Sequence, residues 1–229
     1  MPTGLITGAS QGLGRAACLA LAERGWSLIV DARDESALSA ATRGLPRVRA
    51  IPGDVTDQAH RADLAAAAAE SGGLDLLINN ASTLGVSPLP PLAGYPLAEL
   101  RRVYETNVIA PLALIQLLAV PLTVAGGTIV NVSSDAAIEA YPGWGGYGSA
   151  KAALDHLTAV LAAEEPRLRC YALDPGDMRT EMHQLAFPGE DISDRAEPAS
   201  VIPALLRLLA DRPPSGRYQA SDLLAEVAR

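Results

Sequence analysis

Short apolar stretches alternate with longer amphipathic stretches along the whole chain. The short stretches predict seven strands, near residues 3–7, 26–31, 48–52, 74–78, 127–132, 167–173 and 217–220. The longer stretches have helical periodicity and predict helices near residues 12–24, 34–43, 57–71, 97–123, 145–164 and 198–211. Strands and helices that alternate in this way usually build a parallel sheet with helices on both faces. We therefore expect a single doubly wound α/β domain that spans residues 1–229 around a parallel seven-stranded sheet.

Residues 177–197 fit neither pattern and contain Pro188-Gly189, a dipeptide typical of turns. An irregular segment of this length is uncommon as a simple connection and is more often functional. We therefore expect it to form a substrate-binding loop or lid. At the end of the chain, residues 221–227 predict a last helical turn or a frayed tail.

The chain of 229 residues has a formal net charge of −8, which argues against nucleic acid or an anionic membrane as a partner. Its longest apolar run, residues 110–125, contains Gln116 and two prolines and is shorter than the ~20 residues of a membrane span. Cys18 and Cys170 lack the spacing of a metal site, and no signal peptide is evident. We expect a cytoplasmic protein without a bound metal.

A glycine-rich turn at residues 7–14, with the sequence T-G-A-S-Q-G-L-G, joins the first predicted strand to the first predicted helix. Glycines let the backbone approach a bound diphosphate, and the N-terminus of the following helix offers unpaired N–H groups. A glycine pattern alone is weak evidence because glycines also serve ordinary turns. Here the strand before it and the helix after it supply the βαβ context of a dinucleotide site in a Rossmann-type fold.

Tyr147 and Lys151 are four residues apart, so both side chains lie on one face of the predicted helix. Lys151 is the only lysine in the chain, whereas every other basic residue is an arginine. An ammonium group near a phenol favours the phenolate and lowers the tyrosine pKa from its usual value of ~10. The pair predicts a tyrosine that exchanges a proton near neutral pH. The alternative is an exposed helix on which the two residues happen to be neighbours.

Further motifs follow in order along the chain: Gly53-Asp54-Val55, Asn79-Asn80-Ala81-Ser82, Asn107, Ser134 thirteen residues before Tyr147, and Pro175-Gly176 with Thr180. With these motifs, the glycine turn and the Tyr147–Lys151 pair, the chain resembles the short-chain dehydrogenase/reductase family. The resemblance is to its single-domain branch and extends from about Thr3 to Tyr218. Ser82 departs from the family pattern, which has glycine at this position.

This resemblance implies an oxidoreductase that interconverts a secondary alcohol and a ketone or aldehyde with a nicotinamide cofactor. It implies that Tyr147 is the general acid and base, that Lys151 stabilises its phenolate and binds the nicotinamide ribose, and that Ser134 donates to the substrate oxygen. Asn107 is expected to hold a water that connects Lys151 to solvent. The implied cofactor-binding residues are Gly8, Ser10, Gln11, Gly12, Leu13, Gly14, Arg33, Asp54, Val55, Asn80, Ala81, Ser82, Tyr147, Lys151, Pro175, Gly176, Met178 and Thr180.

The end of the second strand is expected to select between NADP(H) and NAD(H), and it offers both an acid and a base. An acidic residue here usually binds the adenosine ribose, whereas an arginine accommodates a 2′-phosphate. Arg33 stands where NADP-dependent relatives place arginine, while Asp31 precedes Ala32, the position of the NAD-selecting aspartate. Gln11 argues the other way, because NADP-binding relatives often have a basic residue there. We expect NADP(H), with NAD(H) as the alternative cofactor and a surface ion pair as the alternative role of Arg33.

The substrate is expected to be a small alcohol or carbonyl compound. The apolar residues expected to line its pocket are Leu84, Trp144, Met182, Leu185 and Phe187. A catalytically silent dinucleotide-binding protein of the same fold is the alternative function, and the intact Ser134, Tyr147 and Lys151 argue against it. We expect a homodimer, ahead of a homotetramer, formed through the helices at 97–123 and 145–164.

Overall fold

The seven predicted strands form one parallel sheet in the computed structural model, which describes residues 1–225. The strands are β1 (Thr3–Ile6), β2 (Ser27–Ala32), β3 (Val48–Pro52), β4 (Leu76–Asn79), β5 (Thr128–Val132), β6 (Arg169–Asp174) and β7 (Gly216–Gln219). Their order across the sheet is β3-β2-β1-β4-β5-β6-β7, which confirms the doubly wound prediction. The chain moves outward from β1 to β3, crosses back to β4 and then moves outward in the other direction. Such a reversal opens a crevice at the carboxyl ends of β1 and β4.

Helices cover both faces of this sheet. They are α1 (Gly12–Glu23), α2 (Glu35–Thr42), α3 (Gln58–Glu70), α4 (Leu97–Tyr104), α5 (Ala110–Ala125), α6 (Gly145–Glu164), α7 (Glu181–Ala186), α8 (Ile202–Asp211) and α9 (Ala220–Ala225). The short helix α7 lies inside the segment that was predicted to be irregular. Helix α9 confirms the expected helical turn near the C-terminus, and residues 226 and 227 of that expectation lie outside the described residues.

A hydrophobic core lies on each side of the sheet, because successive residues of a strand point to opposite faces. Ile6 of β1 packs in the core that includes Leu21 of α1 and residues of α8 and α9. The neighbouring Leu5 packs in the other core, with Leu64 of α3 and residues of α5. Burial of both faces sets the register of the strands, so the polar residues that follow them emerge together at one edge.

The longest helical stretch runs from Leu97 to Ala125, slightly past its predicted end. It consists of α4, a π-helical turn at Glu105–Ile109 and α5, and it ends before Gly126, whose φ is +60°. π-helical turns frequently occur at functional sites. This turn contains Asn107.

By length and composition this stretch is apolar enough to cross a membrane, whereas the sequence expectation counted residues 110–125 alone. One face, with Leu114 and Leu118, is buried in the core beneath the sheet. On the opposite face Val120 and Val124 are 74% and 83% exposed. The stretch is therefore a core helix on one side and offers an apolar surface on the other.

Candidate active site

A cavity of about 850 Å³ opens at the carboxyl edge of the sheet. Its walls come from the segments that follow the first six strands, β1 to β6. Ser134 lines it together with nearly all of the predicted cofactor-binding residues, namely Gly8, Ser10, Gln11, Gly12, Leu13, Arg33, Asp54, Val55, Asn80, Ala81, Ser82, Tyr147, Lys151, Pro175, Gly176, Met178 and Thr180. Of the predicted site residues, Gly14 and Asn107 lie behind the wall instead.

The glycine turn forms the floor at one end of the cavity. Gly8 has φ +70° and Gly12 has φ +57°, which glycine adopts without strain. A side chain at position 14 would come within 2.4 Å of the Gly8 carbonyl oxygen, so Gly14 lets α1 pack against the turn. Gln11, the N-cap residue of α1, makes no side-chain cap hydrogen bond. The first N–H groups of α1 therefore remain available to a bound anion.

Asp31, at the end of β2, is completely buried beneath this turn. Its Oδ1 accepts a hydrogen bond from the Gly8 N–H at 2.8 Å, and its Oδ2 lies 3.0 Å from His60 Nε2. Burial raises the pKa of Asp31 and prevails over the hydrogen bonds from His60 and Gly8, which lower it. The carboxylate supports the turn from inside the fold, and both of its oxygens have partners there.

Two arginines, Arg33 and Arg15, line the cavity beside the turn. Arg15 was not among the predicted residues, although its position directly after the glycine turn was a usable signal. Asp54 lies at the same end, where its Oδ1 accepts hydrogen bonds from the Thr56 N–H at 2.9 Å and from the Thr56 hydroxyl at 2.8 Å. Burial raises the pKa of Asp54, but these two hydrogen bonds and the charge of Arg33 lower it more. Asp54 is therefore ionised near Arg33.

Asn80 ties the end of β4 to the glycine turn. Its Nδ2 donates to the carbonyl oxygens of Thr7 at 2.9 Å and Gly8 at 3.1 Å. In return the Thr7 hydroxyl oxygen accepts hydrogen bonds from the N–H groups of Asn80 and Ala81, both at 3.0 Å. The two central strands thus share one hydrogen-bonded wall of the cavity.

Tyr147 of α6 faces the cavity with 8% of its surface exposed. Burial raises the pKa of Tyr147 above its usual value, although hydrogen bonding with the hydroxyls of Ser82 and Ser134 acts in the opposite direction. This is the reverse of the shift that the sequence led us to expect from Lys151. The reason is that a phenolate in this enclosed position loses its hydration.

Lys151 is more deeply buried than Tyr147, at 2% exposure. Its Nζ lies 5.5 Å from the centre of the Tyr147 ring and donates a hydrogen bond to the Val132 carbonyl oxygen at 2.7 Å. Burial lowers the pKa of Lys151 to about 8, although the charge of Asp155 acts against this shift. Because the ammonium faces the ring, it stabilises the phenolate less than a direct contact with the hydroxyl would.

Ser134 follows β5 and is held from two sides. Its hydroxyl donates to Asp135 Oδ1 at 2.9 Å and accepts from the Ala136 N–H at 3.2 Å. From β7, Arg217 donates to the Ser134 carbonyl oxygen and to Asp174 Oδ2, both at 2.9 Å. Arg217 was not predicted as a site residue, and an arginine inside a predicted strand was the signal that could have found it.

Asn107 is 1% exposed within the π-helical turn. Its Nδ2 donates to the Thr83 carbonyl oxygen at 2.9 Å, and its Oδ1 accepts from the Thr83 N–H at 2.9 Å and from the Ser82 hydroxyl at 3.1 Å. These bonds hold the amide directly behind Ser82. The water-holding role of Asn107 stays a prediction.

The segment after β6 has more regular structure than expected. Besides α7 it contains a parallel bridge between Met178 and Ala196, which closes residues 177–197 into a compact flap. Gln11 Nε2 donates to Glu181 Oε2 at 3.0 Å, so the glycine turn contacts α7 directly. This contact places the flap beside the cavity, as a lid requires.

One side of the cavity is apolar. Leu84, Trp144 and Met182 line it as predicted. Phe187 packs behind them, with its ring centre 6.0 Å from that of Trp144. The prediction is wrong for Leu185, whose side chain is 47% exposed, because it lies on the solvent-facing side of α7.

A family model described as short chain dehydrogenase matches residues 3–191, which include the glycine turn, Ser134, Tyr147 and Lys151. The chain belongs to this family. Its fold, a parallel seven-stranded sheet with helices on both faces, is the one expected from the resemblance. The protein is therefore an oxidoreductase of the short-chain dehydrogenase family, and a silent protein of the same fold has no support.

Known relatives agree with this assignment. The chain is 39% identical to sepiapterin reductase from Meriones unguiculatus over 199 residues, which cover 80% of this chain and 76% of that protein. It is 32% identical to human L-xylulose reductase over 237 residues, which cover 97% of this chain and 93% of that protein.

Solved structures are similar over nearly the whole chain. A short-chain dehydrogenase from Shigella flexneri, complexed with NADP, has a TM-score of 0.88 at 29% identity and covers 96% of this chain and 97% of its own. One from Escherichia coli CFT073, complexed with NADPH, has a TM-score of 0.87 at 29% identity and covers 96% of each chain.

Proposed function

We propose that this short-chain dehydrogenase interconverts a ketone or aldehyde and the corresponding alcohol, with Tyr147 as general acid and base. The observation that supports this proposal most strongly is the convergence of Tyr147, Ser134 and Lys151 in one cavity. Ser134 and helix α6, which bears Tyr147 and Lys151, both follow β5 and lie at the carboxyl edge of the open α/β sheet, where this fold binds ligands.

The residues present suit a nicotinamide dinucleotide. The uncapped N-terminus of α1 and the positive-φ glycines at positions 8 and 12 provide N–H groups without side chains, which a diphosphate requires. The cavity continues from this turn to Tyr147 and Lys151, so one extended ligand can reach both. When bound, the cofactor supplies or takes up the hydride.

The protein handles the proton. Ser134 turns its hydroxyl from Asp135 toward the substrate oxygen and stabilises the negative charge that develops there. Tyr147 gives its proton to that oxygen in reduction and takes it back in oxidation. Because burial raises the pKa of Tyr147, the phenol is protonated at neutral pH, which is the form that reduction needs.

Two further residues support this step. Lys151 binds the nicotinamide ribose through the ammonium donors that its bond to Val132 leaves over. Asn107 positions the water that returns a proton from solvent after each turnover. The apolar wall at Leu84, Trp144 and Met182 suits a modest apolar or aromatic carbonyl compound.

We propose a preference for NADP(H) over NAD(H). Arg33 and Arg15 face the cavity beside the glycine turn, where a guanidinium can bind a 2′-phosphate in a bidentate manner. Asp31, the acid that would repel a phosphate, lies beneath the turn and is completely buried. The related structures complexed with NADP and NADPH support the same preference.

Titration of the protein with NADPH and with NADH tests both the binding of a nicotinamide dinucleotide and the preference for NADP(H). Nicotinamide fluorescence measures the binding. We expect a preference for NADPH of at least tenfold, or ~1.4 kcal/mol. Arg33→Ala should remove most of this preference by weakening NADPH binding alone, because only NADPH presents the phosphate. Arg179→Ala is the matched control, since Arg179 lines the same cavity but forms an ion pair with Glu197.

Equal weakening of NADPH and NADH binding by Arg33→Ala would assign Arg33 to packing and contradict its proposed role in binding the 2′-phosphate. Binding of neither cofactor by the wild-type protein would overturn the enzymatic proposal itself. A preference for NADH would keep the enzyme but reverse the choice of cofactor.

We also propose a cytoplasmic homodimer that uses the exposed apolar face of α5. Val120 and Val124 lie on this face. The cytoplasmic location is supported by Cys18 and Cys170, which are free buried thiols, as in proteins of reducing compartments. Val120→Glu should convert the dimer to a monomer in sedimentation velocity, because it would bury a charge in the contact. A wild-type monomer, or a Val120→Glu protein that stays dimeric, would contradict this surface.

A further inference from the structure

Arg217 connects three segments of the active site, although it comes from β7, the last strand of the sheet. Its Nη2 donates to the Ser134 carbonyl oxygen and to Asp174 Oδ2, both at 2.9 Å. Its Nε donates to Oδ2 of Asp155, a residue of α6, at 3.1 Å. One side chain therefore joins the segment after β5, the end of β6 and the helix that bears Tyr147.

Asp174 extends this connection to the turn that follows β6. Its Oδ1 accepts a hydrogen bond from the Gly176 N–H at 3.0 Å, while its Oδ2 accepts from Arg217. Pro175 and Gly176 line the cavity, and Gly176 has φ +71°, which glycine adopts without strain. Arg217 therefore reaches a predicted cofactor-binding turn through a single carboxylate.

Asp155 extends the connection to the catalytic helix. Tyr147, Lys151 and Asp155 follow one another at intervals of four residues, so their side chains lie along one face of α6. Asp155 is one turn beyond Lys151 and contacts Arg217 directly. The guanidinium thus holds this face of α6 beside the backbone of Ser134.

The two carboxylates explain why a cation is needed here, and the third contact explains why it is an arginine. Asp174 is buried and the Asp155 side chain is only 14% exposed, so both carboxylates need a charged partner. The planar guanidinium has donors that point in several directions, whereas the donors of a lysine all lie on one nitrogen. The Ser134 carbonyl is uncharged, so the bond to it positions the backbone and neutralises nothing.

The adenosine end of the cavity is supported by other residues. Asp31 of β2 accepts a hydrogen bond from the Gly8 N–H, and Asn80 after β4 donates to the Gly8 carbonyl oxygen. The glycine turn is therefore held by groups on the opposite side of the cavity from Arg217. A change at Arg217 should affect the two ends of a bound dinucleotide differently.

We propose that Arg217 is a positioning residue for the nicotinamide end of the site, where it holds Ser134 and the Pro175-Gly176 turn in a fixed relation to α6. This inference rests on the proposed function, in which Ser134 donates to the substrate oxygen and the nicotinamide lies near Tyr147. Arg217 does not line the cavity, so it acts through these groups.

The test compares Arg217→Met with the wild-type protein in the binding of two ligands. NADPH has both ends of the cofactor, whereas 2′,5′-ADP has the adenosine and the 2′-phosphate but no nicotinamide. We expect Arg217→Met to weaken NADPH binding by about tenfold, or ~1.4 kcal/mol. The affinity for 2′,5′-ADP should stay unchanged, because the glycine turn keeps its own supports. Calorimetry measures both affinities and counts the folded binding sites.

Turnover provides a second measurement. Its substrate is the compound that the wild-type protein reduces fastest among a panel of aromatic ketones and aldehydes. We expect kcat per 2′,5′-ADP-binding site to fall by about 100-fold in Arg217→Met, the scale for a displacement of ~1 Å at the reacting groups. Counting kcat per binding site removes unfolded protein from the comparison.

Arg212→Met is the matched control. Arg212 also donates to a backbone carbonyl and to a side chain, those of Gly126 and Thr128, but at the amino end of β5. It should leave both affinities and kcat unchanged. Arg217→Lys keeps a cation beside the two carboxylates without the planar array of donors. It should therefore fold, and show the same difference between the two ligands at a smaller size.

Equal weakening of NADPH and 2′,5′-ADP binding by Arg217→Met would show that Arg217 supports the fold as a whole and would overturn the inference. Unchanged NADPH binding and kcat in this variant, or the same losses in Arg212→Met, would also overturn it. Each of these results leaves the proposed function intact. Failure of the wild-type protein to bind NADPH would instead overturn the proposed function, and this inference with it.

Discussion

The region beneath the glycine turn and the region around Tyr147, here called the catalytic face, each contain a buried ionisable side chain. The fold stabilises these two side chains differently. Under the turn, the Asp31 carboxylate has a hydrogen-bonding partner at each oxygen, Gly8 at one and His60 at the other. On the catalytic face, Lys151 is buried to a similar depth, but its hydrogen bond within residues 1–225 goes to one backbone carbonyl. Burial accordingly lowers the pKa of Lys151 to about 8.

This difference separates the groups that shape the cavity from the groups that act in it. Both oxygens of Asp31 are occupied inside the fold, so this residue holds the turn in place. An ammonium has three donors, and a single backbone contact leaves two of them for a ligand. Buried polar groups with unused hydrogen-bonding capacity are costly, and they persist where a ligand or a reaction uses them.

The largest effect should come from the catalytic face. Tyr147→Phe should lower turnover by about 100- to 10,000-fold, the range for loss of a general acid, because phenylalanine has no proton to transfer. NADPH affinity should stay close to that of the wild-type protein. Steady-state kinetics and nicotinamide fluorescence measure the two quantities. Tyr218→Phe is the control, since the Tyr218 hydroxyl donates to Pro214 outside the cavity. Retained turnover in Tyr147→Phe would show that another group transfers the proton.

The second-largest effect should be on the pH dependence of protein stability, through the titration of Lys151. Its pKa falls from 10.5 to about 8 on folding, so between these values the unfolded chain binds more protons than the folded protein. The free energy of unfolding of the wild-type protein should therefore rise with pH across this range. The rise should exceed that of Lys151→Met by about 3 kcal/mol, because methionine does not titrate. Urea unfolding of both proteins at pH 7 and at pH 10.5 measures this difference. Parallel pH dependences would show that Lys151 keeps its proton in the fold.

The smallest effect should come from the packing of Gly14 against the rest of the glycine turn. A methyl group at position 14 would lie 2.4 Å from the Gly8 carbonyl oxygen and 2.5 Å from Asn80 Nδ2. Gly14→Ala should therefore lower the free energy of unfolding by about 1–3 kcal/mol, the usual scale of overpacking, and weaken NADPH binding. Gly94→Ala is the control, because no atom lies within 4 Å of the added methyl. An unchanged stability of Gly14→Ala would mean that the floor adapts and is not rigid.

Much of this molecule could be predicted from local pattern. The alternation of apolar and amphipathic stretches predicted all seven strands, because a parallel sheet with two buried faces needs short apolar strands joined by helices. The glycine turn and the Tyr147–Lys151 pair predicted the site, because their chemistry depends on residues close together in the chain. The prediction that Leu185 lines the substrate pocket was wrong, because the direction of a side chain on the short helix α7 depends on what packs beside it.

Contacts between residues distant in the chain had to come from the fold. The buried orientation of Asp31 depends on His60, and the support of Ser134 depends on Arg217 from the last strand. The pKa of Tyr147 depends on how fully the assembled cavity excludes water, because burial is the largest cause of its rise. Local sequence therefore specified which chemical groups reach the edge of the sheet. Packing across the sheet set their burial, partners and proton affinity, because those quantities depend on every element that surrounds the group.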